Sequence, residues 1–247
     1  MQVEKFFIDE EFLIRTSGTS DGTQDKFFKD GFWFKLDRHG GEGITETAAS
    51  IILRESGFSP SMFVEYLPCV VNGKLGCYSR NFLEDNESFI TFFRLYKNVT
   101  GRDLAQVCSK MDYDDAIEYV MNFIKQQTNL DVHEYLANTF ALDKVILNED
   151  RHFNNLCVIY DGKKFKAAPI FDNGKSFLIG NKRAMGKNDI QDKIKTAHSK
   201  AFSPSFDLNY KYLKKYCSLE INKSIVEVIR DYDLDENITE ILSYTLR

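Results

Sequence analysis

Apolar residues recur with a period of two over much of the first eighty positions and with a helical period from about residue 84 onward. Residues 11–15, 26–29 and 32–36 read as strands, the last two joined at Asp30-Gly31, a pair favoured in two-residue hairpin turns. Alternation in the third strand puts Phe32, Phe34 and Leu36 on one face and Trp33 and Lys35 on the other. Ala48, Ala49, Ile52 and Leu53 form an apolar arc that predicts a helix over 45–56, with Glu46 at the edge of the arc. Two further strands are predicted over 62–67 and 70–78, the second region holding an Asn72-Gly73 turn signal. Beyond residue 84 the chain reads as helical. Ile117, Val120, Met121 and Ile124 follow i, i+3, i+4, i+7 after a start near Asp112. Asp131 with Glu134 opens a second helix in the manner of a capping box, and Val132, Leu136, Phe140 and Leu147 lie along one side of it. Two strands, 156–160 and 165–171, then fold back on each other through Asp161-Gly162. Ile225, Val226, Val228 and Ile229, and Ile238, Ile241 and Leu242, mark C-terminal helices.

A chain of 247 residues with 43% apolar content can bury a substantial core, as one large domain or two small lobes. The net charge of -5 gives no footprint for nucleic acid or for an anionic membrane. Charges stand where a secretory signal needs an apolar run, and no window approaches the ~20 apolar residues of a membrane span. The expected setting is therefore cytoplasmic, or outside the cell by a route without an N-terminal signal. Five scattered cysteines read as free thiols in a reducing compartment.

The candidate chemistry sits at the ends of the second hairpin. That hairpin brings Asn155 and Asp172 together, and an amide oxygen beside a carboxylate suits Mg²⁺ bridging nucleotide phosphates. Asp150, in the same tight loop as Asn155, is placed to accept or orient the proton of an attacking hydroxyl. His152 reads as a histidine bonding the loop backbone near that base. In the first half, residues 16–24 are small and polar, and Gly18, Thr19, Ser20 and Gly22 can lie over phosphates while Lys35 reaches them from its strand. Glu46 can cross to Lys35 and hold its rotamer. Tyr78-Ser79 lead out of the last strand of this half, where a two-lobed kinase has the hinge that meets adenine. Each piece alone is ordinary turn or surface sequence. Their order around a hairpin, behind a strand-rich half with a glycine loop and a lysine, is that of protein-kinase-type phosphoryl transfer.

Asp150-Arg151-His152-x-x-Asn155 resembles the catalytic loop of phosphatidylinositol-kinase-like enzymes. With Asn148 before it and Pro169-x-Phe171-Asp172 after it, the stretch is more similar to the HipA-type bacterial serine/threonine kinases, as are Gly22-Thr23-Gln24-Asp25-Lys26 and Phe34-Lys35-Leu36. The resemblance covers about residues 16–177. It implies an α+β, bilobal protein-kinase-like fold: an antiparallel-sheet N-lobe with one helix (1–80), and a mainly helical C-lobe with the catalytic hairpin (81–247). It further implies ATP and Mg²⁺ as cofactors, and transfer to Ser or Thr of a protein substrate with autophosphorylation of the glycine loop at Thr19 or Ser20. Asp150 would be the base, Asn155 and Asp172 the Mg²⁺ ligands, and Lys35 the phosphate ligand. The glycine loop lies close to residue 1, which argues against the extra N-terminal subdomain of HipA toxins and against toxin activity or antitoxin and DNA partners. A compact CtkA-type form fits the length, with host proteins as acceptors if it is exported. The rival readings are a phosphatidylinositol-type lipid kinase and a pseudokinase that binds without transfer.

Overall fold

The structure is a computed structural model that describes residues 3–14, 24–179 and 187–247. Its first sheet comprises β1 (Glu4–Phe6), β2 (Lys26–Lys29), β3 (Phe32–Leu36), β4 (Leu67–Val71) and β5 (Lys74–Arg80), in the order β1-β4-β5-β3-β2. All neighbours are antiparallel except β1 and β4. One face carries Phe27, Phe34, Leu36, Cys69, Val71 and Tyr78, sealed by Ile8 and Phe6 from the N-terminal segment. The opposite face carries Lys35, Cys77 and Ser79 toward the cleft, as the alternation in β3 requires.

Several boundaries differ from the sequence reading. Residues 11–15 do not form a strand in their described part: Glu10–Phe12 is a 3₁₀ turn, and Leu13 makes a single bridge to Phe27. Consecutive exposed acids and Asp9 favour a turn there over pairing. The strand that does pair is β1, too short to announce itself. Residues 62–66 lead into β4 rather than forming a strand, and Asn72-Gly73, both at positive φ, make the β4–β5 turn. Ser88–Thr91 is a strand, β6, although the region reads as helical; the amphipathic pattern of the following α2 (Phe92–Thr100) masks it.

The helix α1 (Glu42–Glu55) starts three residues before its predicted position. Its opening is disguised by glycines. Asp37, just past β3, accepts the N–H groups of Gly41 at 2.6 Å and Gly43 at 2.7 Å, so a carboxylate caps the helix from outside it. Gly41 stands at φ +99°, open to glycine and strained for other residues. Gly43 lets the first turn abut β5: a Cβ there would lie 2.5 Å from the Gly76 carbonyl carbon. Gly43→Ala therefore sets a helix-propensity gain of up to ~1 kcal/mol against a clash with backbone that cannot step aside. Overpacking of this kind costs roughly 1–3 kcal/mol. The clash wins, and thermal unfolding should show a Tm lower by roughly 2–8 °C; an unchanged or higher Tm would sink this account.

The second half contains α3 (Leu104–Cys108), α4 (Tyr113–Thr128), α5 (His133–Ile146), α6 (Lys187–Thr196), α7 (Phe206–Leu213), α8 (Ile225–Asp231) and α9 (Glu236–Thr245). Its sheet is β6-β7-β8, with β7 at Cys157–Tyr160 and β8 at Phe165–Ala167. The apolar stripe predicted for α4 is buried, as are Val132, Leu136, Phe140 and Leu147 along α5. The β7–β8 connection is longer than a two-residue turn, because Asp161 accepts the N–H groups of Lys163 and Lys164. Glu134 does not close a capping box; it receives the Ser218 hydroxyl at 2.6 Å. The two halves meet where Val64 and Ile170 join backbones at 2.9 Å and where Phe82 stacks on Phe171. The five cysteines are free, four of them buried and Cys217 half-buried. No described helix is long and apolar enough to cross a membrane.

Candidate active site

Lys35 comes off β3 into the cleft, where its ammonium lies 2.8 Å from Glu46 Oε1, 3.2 Å from Asp172 Oδ1 and 3.2 Å from the Tyr66 hydroxyl. Its charge also sits 4.7 Å from the centre of the Tyr66 ring. Burial alone would lower the Lys35 pKa, but the Asp172 and Glu46 carboxylates more than offset it and hold the ammonium well above its usual range. Glu46 is buried in the second turn of α1, and its other oxygen accepts the Asn173 N–H at 2.8 Å. One carboxylate thus fixes both the lysine and the loop that follows Asp172. Thr45 adds a second tie, donating to the Gly174 carbonyl at 3.1 Å.

Lys26 pairs with Lys35 across β2 and β3. Burial and then the Lys35 ammonium lower its pKa. Burial pushes the Asp172 carboxyl up, yet Lys35, Lys26 and Arg151 together hold it below the usual carboxylate range. Asp172 adopts φ +62°, a left-handed conformation that Asp tolerates better than most residues.

On the other side of the cleft, α5 ends with Leu147 in the left-handed region and the chain turns sharply. Asn148, fully buried, donates to Asp143 at 3.1 Å and to the Asp172 carbonyl at 3.4 Å, while its side-chain oxygen accepts the Asp150 N–H at 3.0 Å. His152 lies within the loop; its backbone N–H reaches the Asp150 carbonyl and its carbonyl accepts the Asn155 N–H, each at 2.8 Å. The Asn155 amide donates back to the Asp150 carbonyl at 3.0 Å, which commits its nitrogen and leaves its oxygen as the atom available to a cation. Beneath the loop, Arg151 is completely buried. Its guanidinium pairs with Asp143 at 3.0 Å, donates to the Phe171 carbonyl and meets the Asn173 side-chain oxygen at 2.6 Å. A single side chain therefore ties α5, the Asp150 loop and the Asp172 loop together.

The fold is kinase-like. The chain superposes on the crystal structure of the Helicobacter pylori proinflammatory kinase CtkA with a TM-score of 0.66 and 16% identity, covering 99% of this chain and 93% of that one. The HipA, HipB and operator DNA complex of the Shewanella oneidensis MR-1 toxin–antitoxin system gives a TM-score of 0.47 and 9% identity, over 96% of this chain and 66% of that one. No protein-family model matches the chain, and no curated protein matches it.

Lys35, Glu46 and Asp172 thus meet in one ionic cluster, and Asp150, His152 and Asn155 share one loop. The Tyr78 ring packs on the far face of the sheet against Phe34 and Phe6, and its hydroxyl donates to Glu4 at 2.9 Å, so the expected adenine contact rests on its backbone. Ser79 alternates to the cleft face beside Trp33. Gly18, Thr19, Ser20 and Gly22 fall outside the described residues. The sequence reading assigns no individual role to Tyr66, Asp143, Lys200, Lys26 or Arg151. One signal exists for Asp143. It lies three residues after Phe140 and seven after Leu136, so an acid interrupts a core face and requires a buried partner.

The donor set fits Mg–ATP. Asp172 offers a carboxylate whose pKa is held below the usual range, Asn155 offers an amide oxygen, and the Lys35 ammonium is fixed by two carboxylates beside them. Among the described residues no group of three or more His, Cys, Asp or Glu is placed to hold a metal ion.

Proposed function

We propose that this chain is an ATP- and Mg²⁺-dependent serine/threonine protein kinase that also phosphorylates itself. The observation that carries the reading is the Lys35 ammonium held jointly by Glu46 of α1 and Asp172 beyond β8. A lysine serving only as a strut needs one carboxylate; here it is set at the meeting point of sheet, helix and hairpin, where phosphates would lie. Bound Mg–ATP supplies the phosphoryl group and the cation that offsets its charge. Lys35 orients the phosphates, Asn155 and Asp172 hold the cation, and Asp150 accepts or orients the acceptor hydroxyl proton.

The test is ³²P transfer from Mg–ATP to the protein itself and to a generic Ser/Thr acceptor, with Asp150→Ala and Lys35→Met alongside. Removing a positioned base costs about 10²–10⁴-fold, so Asp150→Ala should retain ATP binding and lose at least about 10²-fold in transfer. A folded wild type that binds Mg–ATP and transfers nothing would replace this reading with the pseudokinase or the lipid acceptor.

A further inference from the structure

The predicted base has a partner that comes from far along the chain. The Lys200 ammonium pairs with Asp150 Oδ1, although both side chains are partly solvent-exposed. An exposed ion pair contributes little to stability and is readily exchanged for another partner. The loop that delivers Lys200 is nevertheless built with care. Asn209, fully buried on α7, donates its two amide hydrogens to the carbonyls of Ser203 at 2.9 Å and Lys200 at 3.1 Å, and its nitrogen also lies 2.8 Å from Ser199 Oγ. The Ser199 N–H closes the loop onto the Pro204 carbonyl at 2.8 Å. Phe202 packs edge-on against Phe140 of α5 and Phe153 of the Asp150 loop. Glu149, adjacent to the base, accepts the His198 N–H at 3.1 Å. The backbone bearing Lys200 and the backbone bearing Asp150 are therefore fixed on the same core, while the lysine side chain itself is half-exposed.

Resting on the kinase reading above, we propose that Lys200 is a catalytic residue that contacts the transferring phosphoryl group. The acceptor oxygen must lie between Asp150 and the γ-phosphorus, which puts an ammonium already on Asp150 within a side-chain rotation of the phosphoryl oxygens. In transfer, the acceptor O–P bond forms as the bond from the γ-phosphorus to the bridging oxygen of ADP breaks, and the hydroxyl proton passes to Asp150. Lys200 exchanges no proton; its charge moves from the carboxylate to the phosphoryl oxygens as Asp150 is neutralised. Lys35 serves the nucleotide side and Lys200 the acceptor side.

The experiment has two readouts. Acetylation of Lys200 by a lysine-reactive ester, followed by mass spectrometry, is compared in free protein, with Mg–ADP and with a non-hydrolysable Mg–ATP analogue. The analogue should slow labelling at least threefold relative to Mg–ADP; equal rates would overturn the contact. Turnover is then compared in Lys200→Met and Lys200→Arg. The Met variant should lose about 10²-fold in kcat with Mg–ADP affinity and Tm unchanged, and the Arg variant should recover most of the loss. Full activity of Lys200→Met, or equal losses in both variants, would overturn the role. A wild type that transfers nothing but shows analogue-specific protection would end the kinase reading and leave the phosphate contact standing.

Discussion

Asp172→Asn is expected to abolish phosphoryl transfer from Mg–ATP while leaving the protein folded. Desolvation raises the pKa of the native carboxylate, yet Lys35, Lys26 and Arg151 hold it below the usual carboxylate range. A group whose folded pKa is depressed adds stability above its unfolded pKa and loses it as the pH falls through the folded one. The Lys35–Asp172 link should thus persist well into acid, and an acid limb in the activity profile would arise from another group. The amide of Asn keeps the size and tolerates φ +62°, so strain is not introduced, whereas Asp172→Ala combines lost charge with a poorer left-handed residue. Lys35 keeps its bond to Glu46 at 2.8 Å, and the Asp172 side chain is 34% exposed, so the stability cost should stay within about 1 kcal/mol. Loss of a metal-binding charge at a developing phosphoryl anion removes several kcal/mol from the transition state, about 10³-fold or more in rate. Transfer rates over a Mg²⁺ titration, with denaturant unfolding as the control, decide it. Activity within tenfold of wild type at saturating Mg²⁺ would remove Asp172 from the proposed metal site.

The parts of the site that can be read from the sequence are those whose chemistry is local. Asp150, Asn155 and Asp172 lie at the ends of one hairpin, and strand alternation alone turns Lys35 toward the cleft. Glu46 is visible as an acid at the margin of an apolar arc. The helix start is not, because its cap is the carboxylate of Asp37 acting across Gly41 and Gly43, a tertiary device without a local signature. The direction of the Tyr78 side chain is set by a related constraint. Its position in β5 is one residue out of phase with Cys77, and a one-residue step in a strand exchanges the cleft for the opposite face. Lys200 is hidden by distance: nothing near it in the sequence refers to Asp150, and the connection depends on Asn209 and Phe202 placing a loop against the end of α5.

Arg151→Met should be strongly destabilising. Both Arg151 and Asp143 are completely buried, and burial pushes the Asp143 carboxyl up while the guanidinium pulls it back. Removing the cation leaves an acid without its counter-charge in the core, a loss of roughly 3–5 kcal/mol, which is a large share of the ~5–15 kcal/mol available to a folded protein. Arg151→Lys should rescue little, since an ammonium cannot span Asp143, the Phe171 carbonyl and Asn173 as the planar guanidinium does. The informative variant is the double one. Asp143→Leu with Arg151→Met replaces a buried pair by apolar side chains, which is often neutral for stability, so denaturant unfolding should show most of the loss restored. Transfer activity should not return, because the double variant lacks the Arg151 bonds to the Phe171 carbonyl and to Asn173 and keeps between the Asp150 loop and residue 172 the longer Asn148 contact at 3.4 Å. Such a split, stability recovered without activity, would identify Arg151 as the element that sets the Asp150 loop and residues 171–173 in register. A double variant that regains both would show that the pair serves only to fill the core, and a single variant as stable as wild type would contradict the buried pair itself.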